Sequence, residues 1–286
     1  IPISKCIENP SINPIDLYEA SSNMPQSYFF ESLEGGRKWS RYSIIGLPSS
    51  ESIDVQDNIV TMTTGEKKQS EETSDPIEWI ENYYKKFNVY SDSTLPEFQG
   101  GLVGYFGFDS IKYFEPKIVP SEQFDHLNTP DIRLIISKQI LIFDKINNKI
   151  FIIVYSDAST EGYNEAIKEI SKLHELITKF KVKKNNSIYP KHEDIKVDYH
   201  MNKSNFMKSV DSIKTYISNG DVMQVVLSQR MTVPFTNDAL AFYKQLRNLN
   251  PSPYMYYLNL DGFNIIGSSP EILVRLENNN LTVRPI

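Results

Sequence analysis

The stretch Ile132 to Phe143, followed after Asp144-Lys145-Ile146-Asn147-Asn148 by Lys149 to Tyr155, most restricts how this chain can fold. Both flanking runs are β-branched, and the Asn-Asn pair between them tolerates the positive φ that a tight hairpin requires. Tyr28-Phe29-Phe30, Tyr42 to Ile45 and Ile53 to Thr63 read as further short β segments between Gly and Pro clusters. A sheet-rich first half is therefore expected.

Helices enter at defined places. Asp75-Pro76-Ile77-Glu78 offers an acidic N-cap and a proline at the first helical position, and Trp79, Ile80, Tyr83, Tyr84 and Phe87 follow at helical spacing. That pattern predicts a helix packed on a sheet. Glu161 to Phe180 places Ala166, Ile167, Ile170, Leu173, Leu176, Ile177 and Phe180 on one face, opposite Lys and Glu. Lys181 to Asp194 is charged and poor in apolar residues, as an exposed linker would be. Beyond it the pattern predicts a helix from Ser204 stopped by Asn219-Gly220, a strand Gln224 to Arg230, a helix Ala239 to Leu249 and two more strands. The expected division is residues 1–180, a linker at 181–197, and 198–286.

Composition excludes several classes. With 286 residues, 40% hydrophobic and 12% aromatic, the chain has material for one large or two ordinary well-filled domains. Thirty Lys+Arg against 36 Asp+Glu give a net charge of -6, without a basic stripe, so nucleic acid is a poor partner. The single cysteine, Cys6, cannot close an internal disulfide, which fits a reducing, cytoplasmic setting. Apolar runs fall far short of the ~20 residues a membrane helix needs, so no membrane association is expected. The chain starts at Ile1 and stops at Ile286 inside the apolar alternation Leu281, Val283, and reads as a piece of something longer.

Chemistry is sparse on first reading. Gly100 to Asp109 has the look of a phosphate cradle, but lacks the Lys-Ser/Thr of a phosphate loop and the glycine order of a dinucleotide site. It fits better as a strand where another backbone or a bulky ring approaches closely. The four histidines, His126, His174, His192 and His200, show no paired spacing, so a zinc centre has little support. Ser269-Pro270-Glu271 before Ile272-Leu273-Val274 puts a carboxyl group at the mouth of an apolar strand. There it is either a capping or ion-pairing group or, partly desolvated, a usable proton donor.

Several words taken together carry a resemblance. They are Phe29-Phe30-Glu31-Ser32 with Arg41 to Gly46, Gly100 to Asp109, Gly220 to Ser228, Asn250-Pro251-Ser252-Pro253-Tyr254-Met255, and Gly267-Ser268-Ser269-Pro270-Glu271. In this order they resemble the chorismate-utilising enzymes, most closely the synthase subunit of anthranilate synthase. The resemblance implies an α/β protein of the α+β type, with antiparallel sheets facing one another and helices flanking them, in a truncated form of that fold. It implies loss of the C4 hydroxyl of chorismate as ammonia adds at C2, supported by Mg²⁺ whose ligands lie beyond Ile286, so no metal ligand is expected within this segment.

By position Glu271 matches the glutamate that protonates the leaving oxygen. Gln224 stands where water-adding members carry a lysine base, which favours amination over isochorismate or salicylate synthesis. Glu31, Ser32, Pro253, Tyr254 and Met255 match a tryptophan effector pocket, in which a carboxylate and hydroxyl would hold an α-amino group while a Pro/Tyr/Met wall packs on indole. Lys38 and Trp39 lie where further pocket groups are found. A separate glutaminase subunit is the implied ammonia source. The runner-up is aminodeoxychorismate synthase, because the deciding word follows Arg284-Pro285-Ile286. A rival of another class is a non-catalytic amino-acid-binding regulatory module. The segment by itself is expected to be inactive.

Overall fold

The computed structural model describes residues 1–286 apart from 9, 34–40, 91, 116, 119–126, 182–195, 278 and 284–286. The chain divides into two compact units, Ile1–Val182 with Ala239–Ile286, and Lys183–Asp238.

The first unit contains β1 (Pro2–Glu8), α1 (Pro14–Ser21), β2 (Ser27–Glu31), β3 (Tyr42–Gly46), β4 (Glu51–Gln56), β5 (Ile59–Thr64), β6 (Lys67–Glu72), α2 (Pro76–Lys85), β7 (Gly101–Phe106), β8 (Ile132–Ser137), β9 (Gln139–Asp144), β10 (Lys149–Tyr155) and α3 (Thr160–Lys179). The second unit holds β11 (Asp198–Tyr199), α4 (Lys203–Asn219) and β12 (Met231–Thr232). The first unit resumes with α5 (Ala239–Leu249), β13 (Tyr254–Leu260), β14 (Phe263–Ser269), β15 (Arg275–Glu277) and β16 (Asn280–Thr282).

Two large antiparallel sheets build the first unit, one in the order β1-β10-β9-β3-β2-β13-β14 and one in the order β6-β5-β4-β8-β7, with β15 and β16 pairing as a separate two-stranded sheet. They face each other across a core of Tyr28, Ile140, Ile142, Ile153 and Leu258 from the larger sheet and Val103 and Ile135 from the smaller. The outer face of the larger sheet packs on α1, α3 and α5 through Leu17, Tyr18, Ile170, Ile177, Leu240 and Tyr243. The outer face of the smaller sheet packs on α2 through Ile80, with Ile53, Val55, Ile132 and Leu134. The result is four layers, helices–sheet–sheet–helix, because each sheet is apolar on both faces and each helix has one apolar stripe to bury.

Polar side chains tie the two sheets together. Arg133 on β8 donates to both carboxylate oxygens of Asp54 on β4 at 2.5 and 2.7 Å, and to the Asp261 carbonyl in the β13–β14 turn at 3.0 Å. Tyr28 of β2 meets Ser137 of β8, hydroxyl to hydroxyl, at 2.8 Å.

Local sequence accounts for most elements. Asp75 caps α2 by accepting from the Glu78 amide, Ser159 caps α3, and Gly220 ends α4 with φ +84°. Asn148 turns the β9–β10 hairpin with φ +50°. The glycine-rich word is β7, where a Cβ at Gly104 would lie 1.8 Å from the Arg133 carbonyl oxygen, so close backbone approach explains the glycine. Helix α1, which the sequence reading passed over, carries the same signal as α2: Asn13 caps it and Pro14 opens it.

Four expectations are corrected. Ile53 to Thr63 is two strands, because Asp57 and Asn58 both adopt positive φ and fold the run into the β4–β5 hairpin. Ile132 to Phe143 is likewise two strands, divided at Lys138, with β8 in the smaller sheet and β9 in the larger. Ile272-Leu273-Val274, expected as an apolar strand behind Glu271, is irregular, with Leu273 89% exposed, because the pairing of β14 with β13 ends at Ser269 and Pro270 follows. Gln224 to Arg230 is irregular, with Val226 83% exposed. A strand exists only where a neighbour completes its hydrogen-bond ladder, and apart from the His200 amide, which donates to the Arg230 carbonyl at 3.0 Å, the described residues supply none to this segment. The contacts also divide the chain differently from 1–180, 181–197 and 198–286, because α5, β13 and β14 return to the N-terminal sheet and β13 pairs with β2. Residues 182–195 of the expected linker lie outside the described residues.

Candidate functional site

Strand β2 needs a neighbour on the side away from β3, and β13 fills that place from far along the chain. The antiparallel register sets Met255 opposite Glu31 and Tyr256 opposite Phe30, and the Leu33 amide extends the seam by donating to the Ser252 carbonyl at 3.0 Å. Glu31, Ser32, Pro253, Tyr254 and Met255 are thereby gathered along the wall of a cleft of about 1240 Å³. Phe30, Tyr42 and Tyr105 also line it.

Strand alternation then separates the five. Tyr254 is half-buried on the cleft side, whereas Met255 is 1% exposed in the core beneath the helices, its sulfur 3.3 Å from the Ser252 hydroxyl. Glu31 shares that face. Its carboxylate accepts from Arg247 Nε at 2.6 Å, Arg247 Nη2 at 3.1 Å and the Tyr243 hydroxyl at 2.8 Å. The hydrogen bond to Glu31 raises the Arg247 pKa, and burial, then the Glu31 charge, push that of Tyr243 far up. Directly across the β2–β3 ladder from Glu31, Ser43 is fully buried and its hydroxyl has no partner among the described residues.

The turn after β9 adds further charge. Asp144 accepts from Arg41 Nη2 at 2.7 Å and from the amides of Ile146 and Asn147, both at 3.1 Å. Burial pushes its carboxyl up, but the Arg41 guanidinium and the Asn147 contacts outweigh this and hold it below the ordinary value. Next in sequence, Lys145 donates from Nζ to the Ser32 carbonyl at 3.0 Å.

Of the two residues matched to catalysis, one follows β14 and the other belongs to the second unit. Glu271 follows β14 in the first unit, half-buried, with its carbonyl accepting from the Ser269 hydroxyl at 3.0 Å. Gln224 is exposed in the irregular segment of the second unit. Lys38 and Trp39 lie outside the described residues. Among the described residues no three His, Cys, Asp or Glu side chains converge as metal ligands would. No helix among them is long and apolar enough to cross a membrane.

Tyr243, Arg247 and Lys145 escaped the sequence reading. A signal for the first two was present: a glutamate closing the apolar strand Tyr28-Phe29-Phe30 requires a cation, and Tyr243 and Arg247 lie four residues apart on one helix.

Comparison with known proteins adds an independent measure. The family described as chorismate binding enzyme matches residues 28–286. Anthranilate synthase component 1 of Pseudomonas aeruginosa is 37% identical over 283 residues, covering 96% of this chain and 56% of the relative. That of Neisseria meningitidis is 38% identical over 277 residues with the same coverage. The enzyme of Acetivibrio thermocellus is 36% identical over 293 residues, covering all of this chain and 59% of the relative. Among solved structures, anthranilate synthase component I from Streptococcus pneumoniae superposes with a TM-score of 0.70 at 26% identity, covering 97% of this chain and 60% of that one. The chain thus spans somewhat over half the length of the relatives it matches. With facing antiparallel sheets, flanking helices and a match over nearly its whole length, the chain belongs to the chorismate-binding enzymes.

Proposed function

We propose that the protein is the synthase component of anthranilate synthase, a lyase that converts chorismate and ammonia to anthranilate and pyruvate in tryptophan biosynthesis. The observation that carries this reading is the likeness to anthranilate synthase component 1 over 96% of the chain at 37% identity. Gln224 supports the choice of nucleophile. Water must be deprotonated to attack, whereas ammonia brings its own lone pair, so a glutamine suffices where a water-adding enzyme needs a base.

Glu271 serves as the proton donor to the departing C4 oxygen. Ammonia forms the new bond at C2 while the C4–O bond breaks, and loss of pyruvate then gives the aromatic ring. A glutaminase partner supplies the ammonia, and the enzyme acts in the cytoplasm. Tryptophan binds at the β2–β13 seam formed by Glu31, Ser32, Pro253, Tyr254 and Met255, and inhibits by preferring an arrangement that chorismate does not.

Incubating the gene product with chorismate, ammonium and Mg²⁺, identifying the product by mass, and repeating with tryptophan tests the reading. Anthranilate plus pyruvate, suppressed by tryptophan, is expected, and residues 1–286 alone are expected to give no product. Aminodeoxychorismate would place the protein in folate precursor synthesis instead, and absence of any product from the whole protein would leave a regulatory module. Within an active enzyme, Glu271→Gln is expected to lower kcat by 100-fold or more, on the order of general-acid contributions.

A further inference from the structure

Strand β14 ends just short of the proposed proton donor, and the turn that the chain makes there decides where the donor points. The last β14–β13 pair joins Ser269 to Tyr254. Pro270 follows, and Ile272-Leu273-Val274 is irregular, so no ladder among the described residues holds this stretch. Nor does any hydrogen bond or ion pair from the described residues grip the Glu271 carboxylate itself. Whatever aims that side chain acts through its backbone.

The two serines that close β14 supply the hold. Alternation along the strand sends their side chains to opposite faces. The Ser268 hydroxyl donates to the Asn250 carbonyl at 2.7 Å, which fastens the strand end to the residue that follows α5. The Ser269 hydroxyl donates to the Glu271 carbonyl at 3.0 Å and closes the turn across Pro270. The proline ring fixes its own φ at about −65°, so little backbone freedom is left between the two residues that the hydrogen bond joins. With the strand end fastened and the turn closed, the direction in which Glu271 leaves the backbone is set.

We infer that Ser269 is the positioning residue for Glu271, aiming its carboxyl group at the departing C4 oxygen by holding the backbone that carries it, an inference that rests on the proton-donor reading above. Ser269 acts only through Glu271. A general acid has to lie within about 2.6–3.2 Å of the atom it protonates, and a misplacement on the order of 1 Å can cost about 100-fold. One hydrogen bond across a short turn controls displacements of that size.

The test is a double-mutant cycle on the whole gene product, with kcat and KM measured for chorismate in the presence of ammonium and Mg²⁺. Ser269→Ala is expected to lower kcat by about tenfold and to change KM by less than about twofold. Ser269→Thr, which keeps the hydroxyl, is expected to retain most of the wild-type kcat. In a Glu271→Gln background, Ser269→Ala is expected to cost less than about twofold, because the carboxyl group that it aims is gone. A serine that only stabilises the fold would lower the rate by the same factor in both backgrounds. Equal factors, or wild-type kcat in Ser269→Ala, would overturn the assignment while the donor reading stands. If Glu271→Gln leaves kcat unchanged, or the wild type makes no product, the donor reading fails and takes the assignment with it.

Discussion

Helices α3 and α4 are both amphipathic in sequence, yet α3 buries Ala166, Ile170, Leu173 and Ile177 while α4 buries none of its residues. The difference lies under them. α3 lies on the larger sheet against β1 and β10, and its stripe joins a core that also holds Tyr18 and Tyr243. α4 belongs to the 183–238 unit, where the described strands are the two-residue β11 and β12. An apolar stripe states that a helix can be buried, but only an apolar partner surface buries it. The same contrast separates β13, paired on both edges, from Gln224 to Arg230, which forms no strand and is met only at Arg230, by the His200 amide.

Four experiments would break or sharpen this contrast. The largest effect is expected in the sheet itself. Gly104→Val drives a Cβ to within 1.8 Å of the Arg133 carbonyl oxygen, and a loss of more than about 4 kcal/mol, seen as failure to fold in circular dichroism, is expected. Next come matched deletions on the two helices. Ile170→Ala in the chain 1–286 should cost about 3 kcal/mol, whereas Ile217→Ala should change stability by less than about 0.5 kcal/mol. Equal costs in urea unfolding would erase the distinction drawn here.

A smaller loss, about 2 kcal/mol, is expected from Asp54→Asn, which leaves the buried Arg133 without its counter-charge and would appear as a lower Tm. The smallest effect is at high pH. The Tyr113 phenol is pushed up to about 12 by burial and by its hydrogen bond to Asp131. Because the folded value lies above the unfolded value near 10, the associated stability is complete below pH 10 and is lost as pH rises through about 12. Guanidinium unfolding between pH 9 and 12 should show that decline, and Tyr113→Phe should make it shallower. An unchanged slope would rule out Tyr113 as a contributor.

Much of the local structure was legible because its cause is local. Asp75-Pro76 and Asn219-Gly220 mark helix ends through groups within four residues of one another, and Asn147-Asn148 marks a hairpin through its own backbone freedom. The breaks at Asp57-Asn58 and Lys138 were less visible, since a strand pattern runs through both. The effector residues were legible as words, although the words do not disclose that Glu31 is already bound by Tyr243 and Arg247 more than 200 positions away.

The sequence by itself determined which segments are apolar, where helices begin and end, which turns accept positive φ and which family's words the chain carries. These depend on side chains and their near neighbours. Tertiary structure alone decided that β13 returns to pair with β2, that alternation turns Glu31 and Met255 away from Tyr254, and that Lys145 reaches the Ser32 carbonyl. Those outcomes depend on which distant groups share one small volume, where burial and Coulomb attraction are strongest and where no sequence spacing records who the neighbours are.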